Sequence, residues 1–292
     1  MTEPFTIEWL GGPAEFHFRK ARPEGEFAWE SLVPSHYPPA LVAAAREVWM
    51  GIVVAEYSAI AAFAEVVSAL TQARAPLDMI GMTSDFLADE VRHVELASRV
   101  VMQLGGAPAR QVDTTRLAPR TAAGLSALQR ANELSLRVGC VAEVFASGTA
   151  VPIMRETTHP LLRSVYESIL RDEARHRRFG SLYFEWAADK LDTAERARLG
   201  SVTIDALNGY AELWRGAQKL PDTQPEWQGF DFHELGWLEP SRFVPLARSV
   251  VREQIIAPLR LLGITWSEPA LEALLGLSQS QLPCTRGEHA RQ

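Results

Sequence analysis

Cysteine is almost missing from this chain: 292 residues contain two, Cys140 in an apolar stretch and Cys284 in a polar tail. So few thiols exclude a disulfide framework and any four-cysteine metal or iron–sulfur module, and they fit a reducing cytoplasm. Positive charge is also in deficit, with 29 Lys and Arg against 36 Asp and Glu, a net charge of −7 and a pI near 5.6. Without a basic run there is no footprint for a polyanion, so neither nucleic acid nor an anionic membrane is an expected partner. Uncharged apolar runs of about 18 residues are lacking, and MTEPFTIEWLGG has no basic region leading into an apolar one. Neither a membrane span nor a signal peptide is therefore expected. What the chain does have is hydrophobic residues, 47% of the total, which at this length suffice for a full core in one domain with additions.

Apolar residues recur at helical spacing over most of the chain and predict an all-α fold. Residues 1–39 read as an N-terminal extension, with partial alternation around Gly-Gly-Pro at 11–13 suggesting a short β-hairpin and then irregular chain. A first long helix is expected from Ala40 to about Arg74, stopped by Ala75-Pro76, and a second from Pro76 to Leu104, stopped by Gly105-Gly106. Thr121 is the expected N-cap of a third, which Pro152 should kink or end; Thr157 to Pro160 turns the chain into a fourth, running to about Lys190. These four make a bundle over 40–190. Additional helices over 191–280 are expected near 193–219, 240–262 and 267–277, interrupted by an aromatic loop holding Trp227, Phe230, Phe232 and Trp237, which reads equally as a lid or a dimer surface. Residues 281–292 read as a disordered tail.

The chemistry is concentrated in a repeated word. DEVRH at Asp89–His93 returns as DEARH at Asp172–His176, and a glutamate in the setting Val-Ala-Glu precedes the two copies: Glu56 lies 34 residues before Glu90, and Glu143 lies 30 before Glu173. Glu and His at i and i+3 share one helix face, so both can grip one ion. Two helices that each supply a Glu, and two that each supply Glu-x-x-His, make the ligand set of the ferritin-like di-iron and di-manganese carboxylate proteins. Glu56, Glu90, His93, Glu143, Glu173 and His176 are thus the candidate metal ligands. Glu56 and Glu143 sit within GIVVAEYSAIAAF and VGCVAEVFASGTA, where a bare charge would be costly without a partner. Carboxylates and imidazoles without thiolate suit iron or manganese better than a closed zinc site. Asp89, Arg92, Asp172 and Arg175 read as supports, since a carboxylate that accepts the free ring N–H of a ligand histidine fixes its tautomer and an arginine can hold that carboxylate. Residues one turn from the ligands, Ile52, Ile60, Phe86, Cys140, Ser147 and Ile169, are candidate pocket walls, with ordinary core packing as the alternative. Tyr57 is rotated about 100° from Glu56 and reads as packing. Glu65, Glu95 and Glu167 are expected in solvent.

The two DExRH segments resemble those of the ferritin-like di-iron oxygenase superfamily, including the bacterial multicomponent monooxygenases, over about residues 41–190. The resemblance implies a ferritin-like four-helix bundle, to which the chain beyond 190 adds two extra C-terminal helices of full length and a shorter one. It implies two Fe ions, with Mn/Fe open, and bridging roles for Glu90 and Glu173. Glu56 and Glu143 would be the more terminal carboxylates, with one of His93 and His176 on each metal. It also places Ser147 where that superfamily has a hydroxyl residue one turn after the third-helix glutamate, a catalytic proton-handling candidate; a small helix-packing serine is an equal reading. The chain departs from the hydroxylase subunits in being far shorter, from complete rubrerythrins in having no four-cysteine tail, and from the arylamine N-oxygenases in having Ile169, and no third histidine, one turn before Glu173. Its spacing resembles that of compact enzymes such as aldehyde-deformylating oxygenase.

The function implied is O2 activation to oxidise a small hydrophobic or aromatic organic substrate, with electrons from a donor such as a ferredoxin or flavoprotein reductase. Two alternatives stay open: a ferroxidase or iron-binding bundle, and a tRNA-modifying di-iron hydroxylase, which the acidic balance disfavours. A homodimer is compatible with the sequence.

Overall fold

A computed structural model describes residues 2–222 and 224–276; the tail expected to be disordered, 281–292, lies outside the described residues. The N-terminal hairpin is not formed. Helix α1 spans Gly12–Ala21, with Pro13 in its first turn, and the sole strand before it, β1 (Glu3–Pro4), pairs antiparallel with β2 (Gln111–Val112) in the loop after the second long helix. Gly11-Gly12-Pro13 therefore starts a helix and makes no hairpin turn: proline is suited to the first helical turn, where its missing N–H is no loss.

Helices α2 (Pro39–Gln72) and α3 (Leu77–Gln103) are joined by four residues and pack along each other. Arg74 takes a left-handed φ of 55° just before the Ala75-Pro76 stop, and Gly105 and Gly106, at φ 104° and 97°, close α3 by donating back to the carbonyls of Met102 and Val101. The third bundle helix begins later than expected. Ser126, not Thr121, caps it, because Ser126 and Gln129 form a reciprocal capping box. It runs as α4 (Ala127–Ser135), a π-helical turn (Leu136–Ala142) and α5 (Glu143–Glu156), with Pro152 inside α5. Proline here forfeits one bond in the last turns of a long packed helix. Helix α6 (Pro160–Ala187) completes the bundle, with α3 and α5 both packed against it and α2 against α4.

The helices outside the bundle lie chiefly on its third member. Helix α7 (Thr193–Ala217) packs on α4 and the π turn; α8 (Pro240–Ser249) and a second π turn (Val250–Ile256) pack on α5; α9 (Ala257–Leu261) follows, and α10 (Glu268–Leu275) packs on α7. The aromatic loop plugs one end of the bundle. Trp49 Nε1 donates to the carbonyl of Leu235 at 3.0 Å, and Tyr166 donates to that of Gly236 at 2.8 Å. Gly236, at φ 91°, has no room for a side chain between those two rings. Trp227 is buried, while Phe230 stays exposed.

Two apolar clusters make the core, and every bundle helix contributing to both changes cluster at its ligands. On α2, Leu41 to Val53 belong to one cluster and Ala62 to Leu70 to the other, with Glu56 between them; on α6, Leu161 to Ile169 and Phe179 to Ala187 are divided by Glu173 and His176. A polar layer is thus sandwiched between two greasy ones. Such helices are apolar enough to pass for membrane spans: α2 and Ala127–Glu156 both have the length and composition to cross a bilayer, which a search for uncharged runs does not register. The apolar window of Ala127–Glu156 is 67% buried in the protein, that of α2 only 28%.

The bundle is tightest where the π turn crosses α6. A Cβ on Gly180 would lie 2.8 Å from backbone atoms of Gly139, and one on Gly139 would lie 3.0 Å from the Gly180 Cα. Gly180→Ala should therefore lower stability by about 1–3 kcal/mol, the usual penalty of overpacking; chemical denaturation of the purified variant measures it.

Candidate metal centre

Helical periodicity brings the two DExRH words and the two lone glutamates to the same level of the bundle. Ligand-type atoms of Glu56, Glu90, His93 and Glu173 lie within 4.8 Å of one another, and so do those of Glu90, Glu143, Glu173 and His176. Glu90 and Glu173 belong to both groups, so the arrangement is two adjoining sites sharing two carboxylates. Each histidine turns Nδ1 inward. His93 Nδ1 is 3.5 Å from Glu56 and Glu90 and 3.3 Å from Glu173; His176 Nδ1 is 2.9 Å from Glu90, 3.6 Å from Glu143 and 3.5 Å from Glu173.

Close approach is not pairing. Both Glu90 oxygens, Glu173 Oε2, both nitrogens of His93 and His176 Nδ1 are buried without a hydrogen-bond partner. Buried polar atoms are ordinarily satisfied, and these orphans, all but the outward His93 Nε2 clustered between the four glutamates, fit a pair of divalent cations, whose four positive charges would match four carboxylates. Glu56 is the most open of the six, with 17% of its side chain exposed.

Without metal, protons must do the balancing. Burial pushes the Glu56 carboxyl up to about 8, helped by the neighbouring charges of Glu90 and Glu173, and burial with Glu173 nearby pushes Glu143 well above the ordinary range. Burial also penalises charge at Glu90 and Glu173, but the imidazoles of His176 and His93 beside them outweigh it and hold both carboxyls low. His93 and His176 go up despite burial, because Asp172 and Asp89 respectively, with the shared glutamates, favour the cation. Protons are thus favoured on both imidazoles and on Glu56 and Glu143, and disfavoured on Glu90 and Glu173.

The outer nitrogens meet carboxylates from the opposite repeat. His176 Nε2 is 3.3 Å from Asp89 Oδ2, and His93 Nε2 is 3.6 Å from Asp172 Oδ2. Arg175 bonds Asp89 at 2.9 Å and lies 3.5 Å from Asp172. Arg92 departs from its expected place: it pairs with Glu95 at 2.9 Å and donates to the Glu24 carbonyl, reaching neither aspartate. Glu95 in turn is buried, not solvated, because Arg19 of α1 meets it with two bonds of 2.7 Å. Glu65 is half-buried and Glu167 exposed, and they pair with Arg130 and Arg163 respectively. Reasoning from the sequence also missed Arg22, whose Nε donates to Asp89 Oδ1 at 2.8 Å. Nothing local marks a residue 67 positions away as a partner.

The expected pocket walls do not gather around one space. Ile52, Ile60 and Ile169 belong to or pack on one apolar cluster, while Phe86 and Cys140 belong to or pack on the other. Phe86 stacks on the His176 ring at 4.2 Å, and burial pushes the Cys140 thiol up to about 12, so it is an inert packing group. Ser147 donates to the Glu143 carbonyl at 2.7 Å, the back-bond of a helix-packing serine. Ile60 does line a cavity of about 750 Å³ between the N-terminal segment and α2 and α3, together with Phe5, Trp9, Met50 and Tyr57.

The sequence model of the family described as p-aminobenzoate N-oxygenase AurF matches residues 77–218. This span runs from the start of α3 to the end of α7 and holds five of the six clustered ligands; Glu56 precedes it. The likeness thus falls on an N-oxygenase family and not on the compact aldehyde-deformylating enzymes suggested by spacing, although Ile169 stays a buried apolar residue. Comparisons with curated proteins and with solved structures find no match.

Glu56, Glu143 and both histidines hold protons in the folded metal-free protein that the unfolded chain has already lost, so their contribution to stability declines as pH rises. For Glu56 the window runs from its ordinary 4.5 to about 8. The melting temperature of the metal-free protein should fall between roughly pH 6 and pH 8, and Glu56→Gln should flatten the decline. Thermal scans monitored by circular dichroism across that range provide the check.

Proposed function

We propose that this chain, a member of the ferritin-like di-iron carboxylate superfamily, is a non-haem di-iron oxygenase that oxidises a small apolar or aromatic organic molecule. The observation that carries the reading is the pair of adjoining four-residue groups sharing Glu90 and Glu173, with their buried unpartnered atoms. Glu56 and His93 would complete one metal site, Glu143 and His176 the other. Iron held there supplies the redox chemistry with O2, using two electrons from an external donor such as a ferredoxin or a flavoprotein reductase.

The protein's own contribution is geometry and exclusion of water. Asp89 takes the outward nitrogen of His176, and Asp172 stands 3.6 Å from that of His93, so that Nδ1 of each histidine is directed at the carboxylates. Phe63 and Phe86, packed at 5.5 and 4.2 Å on the His176 ring, keep that side dry. Approach is open on the Glu56 side, where the side chain remains partly exposed. The cavity lined by Ile60, one turn beyond Glu56, has the volume and the aromatic lining of a small-molecule site, which supports an aromatic substrate.

Anaerobic titration with Fe(II) should give two irons per chain, and Glu90→Ala, which removes a shared ligand, should leave fewer than one. O2 uptake by the reduced iron-loaded protein should quicken with an aromatic substrate, p-aminobenzoate being the first to try. Ile60→Trp should raise the apparent KM several-fold while the iron count stays at two. Metal uptake well below two in the unaltered chain overturns the reading.

A further inference from the structure

The geometry points to Arg22 as a positioning residue for the His176 half of the metal centre, delivered by the N-terminal segment; this assignment rests on the di-iron reading. Asp89 is 1% exposed, and its two oxygens are divided between donors. Oδ2 faces His176 Nε2 at 3.3 Å and Arg175 at 2.9 Å, whereas Oδ1 takes the Nε of Arg22 at 2.8 Å. A carboxylate gripped at both oxygens cannot rotate, so the plane that aims Oδ2 at the histidine is set in part by Arg22. The same guanidinium bonds Asp85 at 2.8 Å, one turn earlier on α3, which fixes it as a fork over two carboxylates.

Arg22 is kept there by the rest of its segment. Arg19, one turn before it, donates the two hydrogen bonds to Glu95, and the guanidinium of Arg19 lies 4.9 Å over the Trp9 ring. Glu24, two residues after it, is held through its carbonyl by Arg92 and through its carboxylate by Arg99. The strand pair Glu3–Pro4 with Gln111–Val112 ties down the start of the chain. A segment of about two dozen residues thus straps across α3 and brings one cation to the support of one ligand.

The other half of the centre has no such strap. Asp172 stands 3.6 Å from His93, is 26% exposed, and has Arg175 at 3.5 Å as its ion-pair partner among the described residues. Loss of Arg22 should therefore act on one iron and spare the other.

The test is anaerobic loading of the full chain with 57Fe(II), read by equilibrium iron binding and by Mössbauer spectroscopy. The unaltered chain should bind two irons. In Arg22→Ala, one iron should bind about tenfold more weakly, within the range for residues that support metal ligands, and one of the two ferrous signals should shift while the other stays. Arg22→Lys, which keeps the charge but cannot fork, should fall between. Should Arg22→Ala lose helical content, Arg22→Lys alone decides by the same two readouts. Variants with both signals and both affinities unchanged, or with both sites weakened equally, overturn the assignment of Arg22 while leaving the di-iron reading intact. Fewer than two irons in the unaltered chain overturns that reading instead, and the Arg22 assignment with it.

Discussion

Four carboxylates and two imidazoles share one buried layer, and the rest of the structure is arranged to make that tolerable. An uncompensated ion in such a place costs several kcal/mol even after relaxation. Two solutions exist for the same six side chains. Without metal, protons are favoured on the two imidazoles and on Glu56 and Glu143 and disfavoured on Glu90 and Glu173; two divalent cations would instead favour four ionised glutamates and two neutral histidines. Exchanging one state for the other would release protons, so metal affinity and pH are coupled by the layer itself. The apolar clusters above and below, anchored by Trp49 and Tyr166 on one side and Phe63, Phe86 and Phe179 on the other, prevent water from offering a third solution.

The same constraint explains the irregular places in the helices. The π turn over Leu136–Ala142 ends at Glu143, and a π insertion changes which face the following residues present. It does so where Gly139 lets the helix lie against Gly180 of α6. Glu143 is thereby brought to the level of Glu173 and His176. Close approach and changed phase are both needed, since the glutamate has a short reach and the layer is one helical turn thick.

Much of this was legible in the sequence because the decisive signals are local. Glu and His three apart identify a helix face, Gly105-Gly106 and Ala75-Pro76 stop helices, and both act over a few residues. What escaped depends on distant partners or on competition between local signals. Thr121 is the expected cap, and Ser126 takes the role instead because Gln129 answers it. Gly11-Gly12-Pro13 serves a hairpin or a helix start equally well until β1 finds β2 about a hundred residues away. Glu95 looks like a surface residue on α3 unless Arg19 is known to lie over it, and the assignment of Arg92 to an aspartate failed for the same reason.

The two repeats are alike as words and unlike as environments. Each supplies an aspartate to the other's histidine, a crossing that makes neither half-site complete without the second copy of the word. Yet Asp89 is buried under Arg22 and Arg175, while Asp172 is partly in solvent, and Glu56 on the His93 side is more open than Glu143 on the His176 side. One half is therefore enclosed and held by more ion pairs; the other is more open to solvent. A centre that must hold its metals and also admit a reactant benefits from dividing those demands, because a ligand shell cannot be both fully satisfied by the protein and free to move. The N-terminal segment falls on the enclosed side of that division through Arg22 and Asp89, and it roofs the cavity that Ile60 lines, so the part of the chain least regular in sequence touches both.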